Sequence, residues 1–169
     1  GMGFIEETGA CQHLRDSRIA TIYEGTTGIQ AADLAGRKLS MDKGTAMRAL
    51  IAEIEATMAE LGKAAGDDMA VIRDGLRDGA KALADATQWV LTSHDPDAVM
   101  AVSVDYMMLT GYVCGGWQMG RAALAAQRKL SAGEDPVFHE AKLITARFYA
   151  EHILPKAGAL LRSVLSGGA

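Results

Sequence analysis

Apolar residues recur at helical spacing over most of the chain beyond residue 40. Met47, Leu50, Ile51, Ile54, Met58 and Leu61 step by three and four, one stripe that predicts a helix over residues 43–64. Ile72, Leu76, Gly79, Leu83, Ala86 and Val90 alternate steps of four and three, the pattern of a bundle seam over residues 67–92. Arg73, Asp74, Arg77, Asp78 and Lys81 fill the opposite, solvated face. Ser93-His94-Asp95-Pro96 then interrupts the pattern. Asp95 as N-cap, Pro96 at the first helical position and Asp97 in the first turn start a third helix, read over residues 96–130. Ser131-Ala132-Gly133 stops it, and Asp135-Pro136 repeats the start signal. The fourth helix has an apolar edge of Val137, Ala141, Ile144 and Phe148. Pro155 lacks an amide donor, so a kink or break is expected near residues 151–154, with a last helical stretch over 156–165.

Residues 1–40 differ in kind. They hold six glycines, short apolar stretches and no long periodic run. The reading is an all-α fold: an antiparallel up-and-down helical bundle over residues 41–169, with a loosely packed N-terminal segment over 1–40.

Residues 98–120 carry one formal charge, Asp105, over a length close to what a bilayer needs, which raises a membrane span as one reading. Gly111 with Gly115, and Gly116 with Gly120, have the small-xxx-small spacing of close helix packing. An acid near the middle is costly in lipid, and amphipathic helices elsewhere need an apolar partner. The stretch is therefore read as a central buried helix.

Composition narrows the function classes. Of 169 residues, 49% are apolar and 22% charged, which excludes disorder as the main state. Three prolines and 5% aromatics argue against a sandwich or barrel. A net charge of −4 argues against a general nucleic-acid binder. Cys11 and Cys114 make neither a disulfide framework nor a zinc quartet, which points to a reducing, cytoplasmic setting. Residues 1–7 lack a basic start and a signal-peptide core, so export is not expected. His13, His94, His139 and His152 fall into no metal-ligand spacing, and no metal is expected.

The informative stretch runs from Arg15 to Gln30. Glu24 sits between Tyr23 and Gly25, after the apolar Ile19, Ala20 and Ile22. Two readings stand side by side: a desolvated acid whose raised pKa suits a general base, or an exposed turn glutamate. Thr26 or Thr27 can cap a helix running to about Leu39, aiming backbone amides at whatever lies beside Glu24.

Gly1-Met2-Gly3-Phe4-Ile5-Glu6-Glu7-Thr8-Gly9, Gln12-His13, Arg15-Asp16, Ile22-Tyr23-Glu24-Gly25-Thr26 and Ile29-Gln30 together resemble the last segment of acyl-CoA dehydrogenases. The remainder resembles the extra helical region of a longer subgroup that includes 3-methylmercaptopropionyl-CoA dehydrogenases. These flavoenzymes oxidise an acyl-CoA to the trans-2-enoyl-CoA. A glutamate takes the α-proton while the β-hydrogen leaves as hydride to FAD.

The resemblance implies Glu24 as that base and Gly25 as a substrate-contacting backbone position. It implies FAD contacts at Thr26, Thr27 and Gly28. The common Tyr-Glu-Gly-Thr-Asn-Gly form has asparagine where this chain has Thr27. Gly1 matches a glycine beside the FAD adenosine of a neighbouring subunit. Family members place an N-terminal helical domain and a β-domain before this region. The expectation is therefore a C-terminal part of an acyl-CoA dehydrogenase, inactive alone, that needs a homo-oligomer or a partner chain with the missing domains. The alternative is a helical interaction module without catalysis.

Overall fold

The computed structural model describes residues 2–22 and 27–167. Two short 3₁₀ turns, Met2–Phe4 and Glu6–Thr8, lead into α1 (Ala10–Ile22). Next comes α2 (Thr27–Ala32), which widens into a π-helical stretch (Asp33–Lys38) and closes as α3 (Leu39–Met41). The bundle follows: α4 (Thr45–Leu61), α5 (Asp67–Thr92), α6 (Pro96–Ala101), α7 (Ser103–Ser131), α8 (Pro136–Phe148) and α9 (Lys156–Ser166). A second π-helical stretch, Tyr149–Ile153, joins α8 to the turn before α9. No strand occurs among the described residues.

The helix starts follow their caps. The Asp95 carboxylate accepts from the backbone N–H of Asp97 (2.9 Å) and of Ala98 (3.2 Å). The Asp135 carboxylate accepts from the Phe138 N–H at 3.2 Å. Asp42 caps α4 by accepting from the amides of Gly44, Thr45 and Ala46 at 2.9, 3.2 and 2.8 Å. Gly44 has φ +76°, and a Cβ there would meet Leu91 Cδ1 at 2.6 Å, so the turn requires glycine.

The α5 seam is buried at every position read from the sequence, Ile72, Leu76, Gly79, Leu83, Ala86 and Val90. It packs against α4, α7 and α9. On α4, Met47, Ile54 and Leu61 are buried, while Leu50, Ile51 and Met58 pack part-exposed against the same core. The central helix is α7, in contact with α2, α4, α5, α8 and α9. Its glycines serve those contacts: Gly116 faces Leu154, Gly115 faces the Tyr149 hydroxyl, and Gly120 faces Leu61 and Ile72. No described helix is long and apolar enough to cross a membrane. Asp105, the one charge of the apolar stretch, accepts a short hydrogen bond from the Ser163 hydroxyl and ties α7 to α9.

Two sequence expectations are corrected. The third helix is not continuous over 96–130. It breaks at Val102 (φ −100°, ψ 3°), where the Ser103 hydroxyl donates to the Met100 carbonyl at 2.8 Å and competes with the helical ladder. The apolar edge of α8 also faces the other way: Val137, Ala141, Ile144 and Phe148 are exposed. This helix docks instead through Leu143, Ala146 and then Ala150, and Ala150 meets Gly75 of α5 closely enough that a Cβ on Gly75 would lie 3.3 Å away. Close backbone approach favours the alanine face, whereas residue size favours the other. Arg147 adds a part-exposed tie on the same side by donating to Asp68 of α5 at 2.7 Å. The break expected before Pro155 is present as the π-helical turn, in which the Leu154 N–H reaches the Tyr149 carbonyl at 2.9 Å.

The N-terminal segment divides in two. From Phe4 to Gln30, no residue whose exposure is described is buried, whereas Ala31, Ala35 and Leu39 are.

Two outcomes are expected. Leu83→Ala should cost about 2–5 kcal/mol in chemical denaturation, and Ile144→Ala in dilute protein less than about 0.5 kcal/mol. By hydrogen exchange, the α1 amides should exchange orders of magnitude faster than those of residues 31–39, because no described side chain of α1 is buried.

Candidate functional site

Tyr23, Glu24, Gly25 and Thr26, and Gly1, lie outside the described residues. What brackets them is described on both sides. Before them stands α1, with Leu14, Ile19 and Ile22 all exposed. Its local ties are polar. Gln12 donates to Asp16 at 2.7 Å, and Arg15 pairs with Glu6 at 3.3 Å. Gly9 ends the preceding 3₁₀ turn at φ +76°.

After them comes α2. Thr27 and Gly28 form its first turn and are exposed, and a Cβ on Gly28 would meet nothing within 4 Å. The same helix is anchored one turn later. Ala31 is fully buried where α2 packs on α7, Ala35 and Leu39 continue into the core, and Gly36 lies against Met100. Thr27 and Gly28 are thus presented on an open surface from a fixed base. The next turn is held by Asp33, which accepts from Arg37 at 2.5 and 3.0 Å and pairs with Lys38 at 3.5 Å. The Arg37 hydrogen bond holds the Asp33 carboxyl below the usual carboxylate range. Chemically, the start of α2 offers a glycine without steric cover and early-turn amides. Nothing described around it would exclude water.

The remaining candidates separate cleanly. His13 and His94 are exposed, His139 lies edge-on to Phe138, and His152 leans on Phe148. No group of acids, histidines and cysteines among the described residues could hold a metal ion. Burial pushes the Cys114 thiol up, so it is a poor nucleophile.

Among the described residues, the grooves between the bundle helices are lined by residues other than Thr27 and Gly28. One of about 440 Å³ between α4 and α7 is lined by Thr57, Glu60, Gln118, Arg121 and Arg128 among others. Arg121 lies over the Trp117 ring at 5.3 Å, and the indole N–H donates to the Thr57 hydroxyl at 2.8 Å. The seven-residue spacing of Arg121 and Arg128 is the signal for this groove in the sequence. A second groove, about 240 Å³, lies where the π-helical stretch meets α5 and α6, lined by Gly36, Ser40, His94 and Met100 among others.

Residues 50–169 match the family described as acetyl-CoA dehydrogenase C-terminal like. A 3-methylmercaptopropionyl-CoA dehydrogenase of Ruegeria pomeroyi is 44% identical over 161 residues, 94% of this chain and 27% of that protein. The broad-specificity linear acyl-CoA dehydrogenase FadE5 of Mycobacterium tuberculosis is 32% identical over 165 residues, 92% of this chain and 27% of that protein. A mitochondrial short-chain specific acyl-CoA dehydrogenase of Homo sapiens is 51% identical over 39 residues, 23% of this chain and 10% of that protein. The chain spans about a quarter of the length of the long relatives it matches.

Proposed function

This chain belongs to the acyl-CoA dehydrogenase family, through the family's C-terminal region, and on that premise we propose that it forms the C-terminal part of an α,β-dehydrogenase of acyl-CoA thioesters. Within it, residues 1–40 end the catalytic C-terminal domain and residues 41–169 form a helical extension. The observation that carries this reading is the 44% identity with a 3-methylmercaptopropionyl-CoA dehydrogenase over 94% of the chain.

Enzymes of this family are oxidoreductases that generally use FAD. Thr27 and Gly28 fit the edge of such a group, being exposed at a helix start that a Cβ-free residue leaves open. They do not make a whole site, because no described side chain encloses a ring system beside them. When bound, FAD supplies the hydride acceptor. The part of this chain is proton removal: the Glu24 carboxylate accepts the α-proton of the thioester, and the Gly25 backbone contacts the substrate. Thr26, Thr27 and Gly28 support the cofactor from one side, and Gly1 contacts its adenosine in a neighbouring subunit. The exposed apolar positions of α1, Leu14, Ile19 and Ile22, are then the inward face of a domain completed by further polypeptide in a homo-oligomer or partner chain.

In an enzyme completed with the missing domains, Glu24→Gln should lower kcat by about 10²–10⁴-fold while leaving flavin absorbance at full stoichiometry. Near-normal turnover in that variant would remove Glu24 as the base. The chain alone should show neither stoichiometric flavin nor acyl-CoA-dependent reduction of an electron acceptor. In this chain Glu24→Gln should shift stability by less than about 0.5 kcal/mol in chemical denaturation.

A further inference from the structure

The groove of about 440 Å³ between α4 and α7 has no part in the catalytic reading. Its walls carry charge: Arg121 and Arg128 of α7 line it together with Gln118, and Glu60 of α4 lines it from the other side. Elsewhere Arg37, Arg73, Arg77 and Arg147 each pair with an acid. Among the described residues, no acid lies within ion-pair distance of Arg121 or Arg128, although Glu60 shares their groove. In a chain of net charge −4, this one groove thus sets two cations against a single carboxylate. We propose that it binds the phosphate monoester of a small polyhydroxylated molecule, a sugar phosphate, with the phosphate on the two arginines and a hydroxyl on Glu60.

Three features of the groove support that ligand. First, Arg121 is already oriented. Its guanidinium lies over the Trp117 ring at 5.3 Å, and the indole is held by its N–H donating to the Thr57 hydroxyl at 2.8 Å. Thr57 is buried and donates in turn to the Glu53 carbonyl at 3.2 Å. A guanidinium stacked on a ring keeps its N–H groups in the plane, where they meet a phosphate in pairs. One of its nitrogens donates to Gln118 Oε1 at 3.2 Å, which leaves the rest of the fork and the Gln118 amide N–H groups for a ligand. Second, Arg128 follows two helical turns later on the same face, about 10 Å along the axis. Two long side chains at that separation converge on one dianion. Ala122, Leu124 and Ala125, which line the groove between them, carry no charge that competes for it. Third, Glu60 selects among anions. It repels a bare phosphate, but it accepts a hydrogen bond from a hydroxyl of an ester whose phosphate the arginines hold. The volume suits a pentose or hexose phosphate. None of this rests on the proposed dehydrogenation.

Isothermal titration calorimetry of the full 169-residue chain with ribose 5-phosphate, at low ionic strength and neutral pH, tests the proposal. The expected result is one saturable site, with the ester bound at least about threefold more tightly than inorganic phosphate. In Trp89→Phe protein, whose remaining tryptophan is Trp117, the same titration should shift the indole emission. Arg121→Gln and Arg128→Gln should each weaken binding about tenfold. Both residues are exposed, so helical circular dichroism and the unfolding midpoint should stay at the parent's values. Arg162→Gln, at an exposed arginine of α9, should leave binding unchanged. Glu60→Ala should act oppositely on the two ligands: inorganic phosphate binds more tightly, and the preference for the ester disappears. Coenzyme A, whose ribose also carries a phosphate monoester, distinguishes a free sugar phosphate from a piece of the thioester substrate, and at equal concentration it should not displace ribose 5-phosphate. Absence of saturable binding up to about 10 mM, an ester bound no better than inorganic phosphate, an affinity indifferent to both α7 substitutions, or displacement by coenzyme A would overturn the assignment, and each of these results leaves the acyl-CoA reading standing.

Discussion

The bundle depends on one wedge. Leu154 sits between α5 and α7 against a glycine on each, and a Cβ on either would force its side chain to shift. A Cβ on Gly79 would lie 2.9 Å from Leu154 Cδ1, and one on Gly116 2.9 Å from Leu154 Cδ2. Leu154 itself is delivered by the π-helical turn that ends at Pro155, since neither α8 nor α9 reaches that point as a regular helix. The apolar area gained is ordinary, but the geometry is not interchangeable. The two glycines sacrifice about 1 kcal/mol each of helix propensity to let the leucine in. Tyr106 deepens the same core by sharing a 3.0 Å hydrogen bond with Thr87 in full burial, and burial pushes its phenol up.

That rigid core bears on function through its edge. Ala31, Ala35 and Leu39 sink into it while Thr27 and Gly28, one turn earlier, stay in the open. The bundle therefore works as a mount. It holds Thr27 and Gly28 at its edge, where a Cβ on Gly28 would meet nothing within 4 Å. On the proposed function, the walls of the reaction site come from further polypeptide. The division suits a chain that spans about a quarter of its long relatives.

Much of this architecture could be read from residue order. Asp95-Pro96 and Asp135-Pro136 announce two helix starts that cap as expected, because the cap is a local interaction. The α5 seam is legible because leucine and isoleucine alternate with glycine and alanine in one register. The inner face of α8 was not legible, for a definable reason. Leu143, Ala146 and Ala150 carry less apolar surface than Val137, Ile144 and Phe148, yet close approach to Gly75 selects the smaller set. Such a preference belongs to the pair of helices, not to either sequence alone. The break at Val102 is hidden in the same way, inside an unbroken apolar run. As for the candidate site, no periodicity singles out Glu24. Its assignment as a base comes from resemblance, and Thr27 and Gly28 are the members of that motif whose surroundings are described.

The π-helical stretch Asp33–Lys38 has a further consequence. A wider turn holds one residue more than an α-turn would, and each residue of an α-helix advances the chain by about 100° around its axis. Removing a single residue there would restore regular winding and turn Ala31, which is buried where α2 packs on α7, away from that contact by about this angle. The register in which α2 meets α7 is thus set by the wider turn, which the Asp33–Arg37 pair spans. Gain or loss of this one residue would therefore have to be matched by a change of packing between α2 and α7.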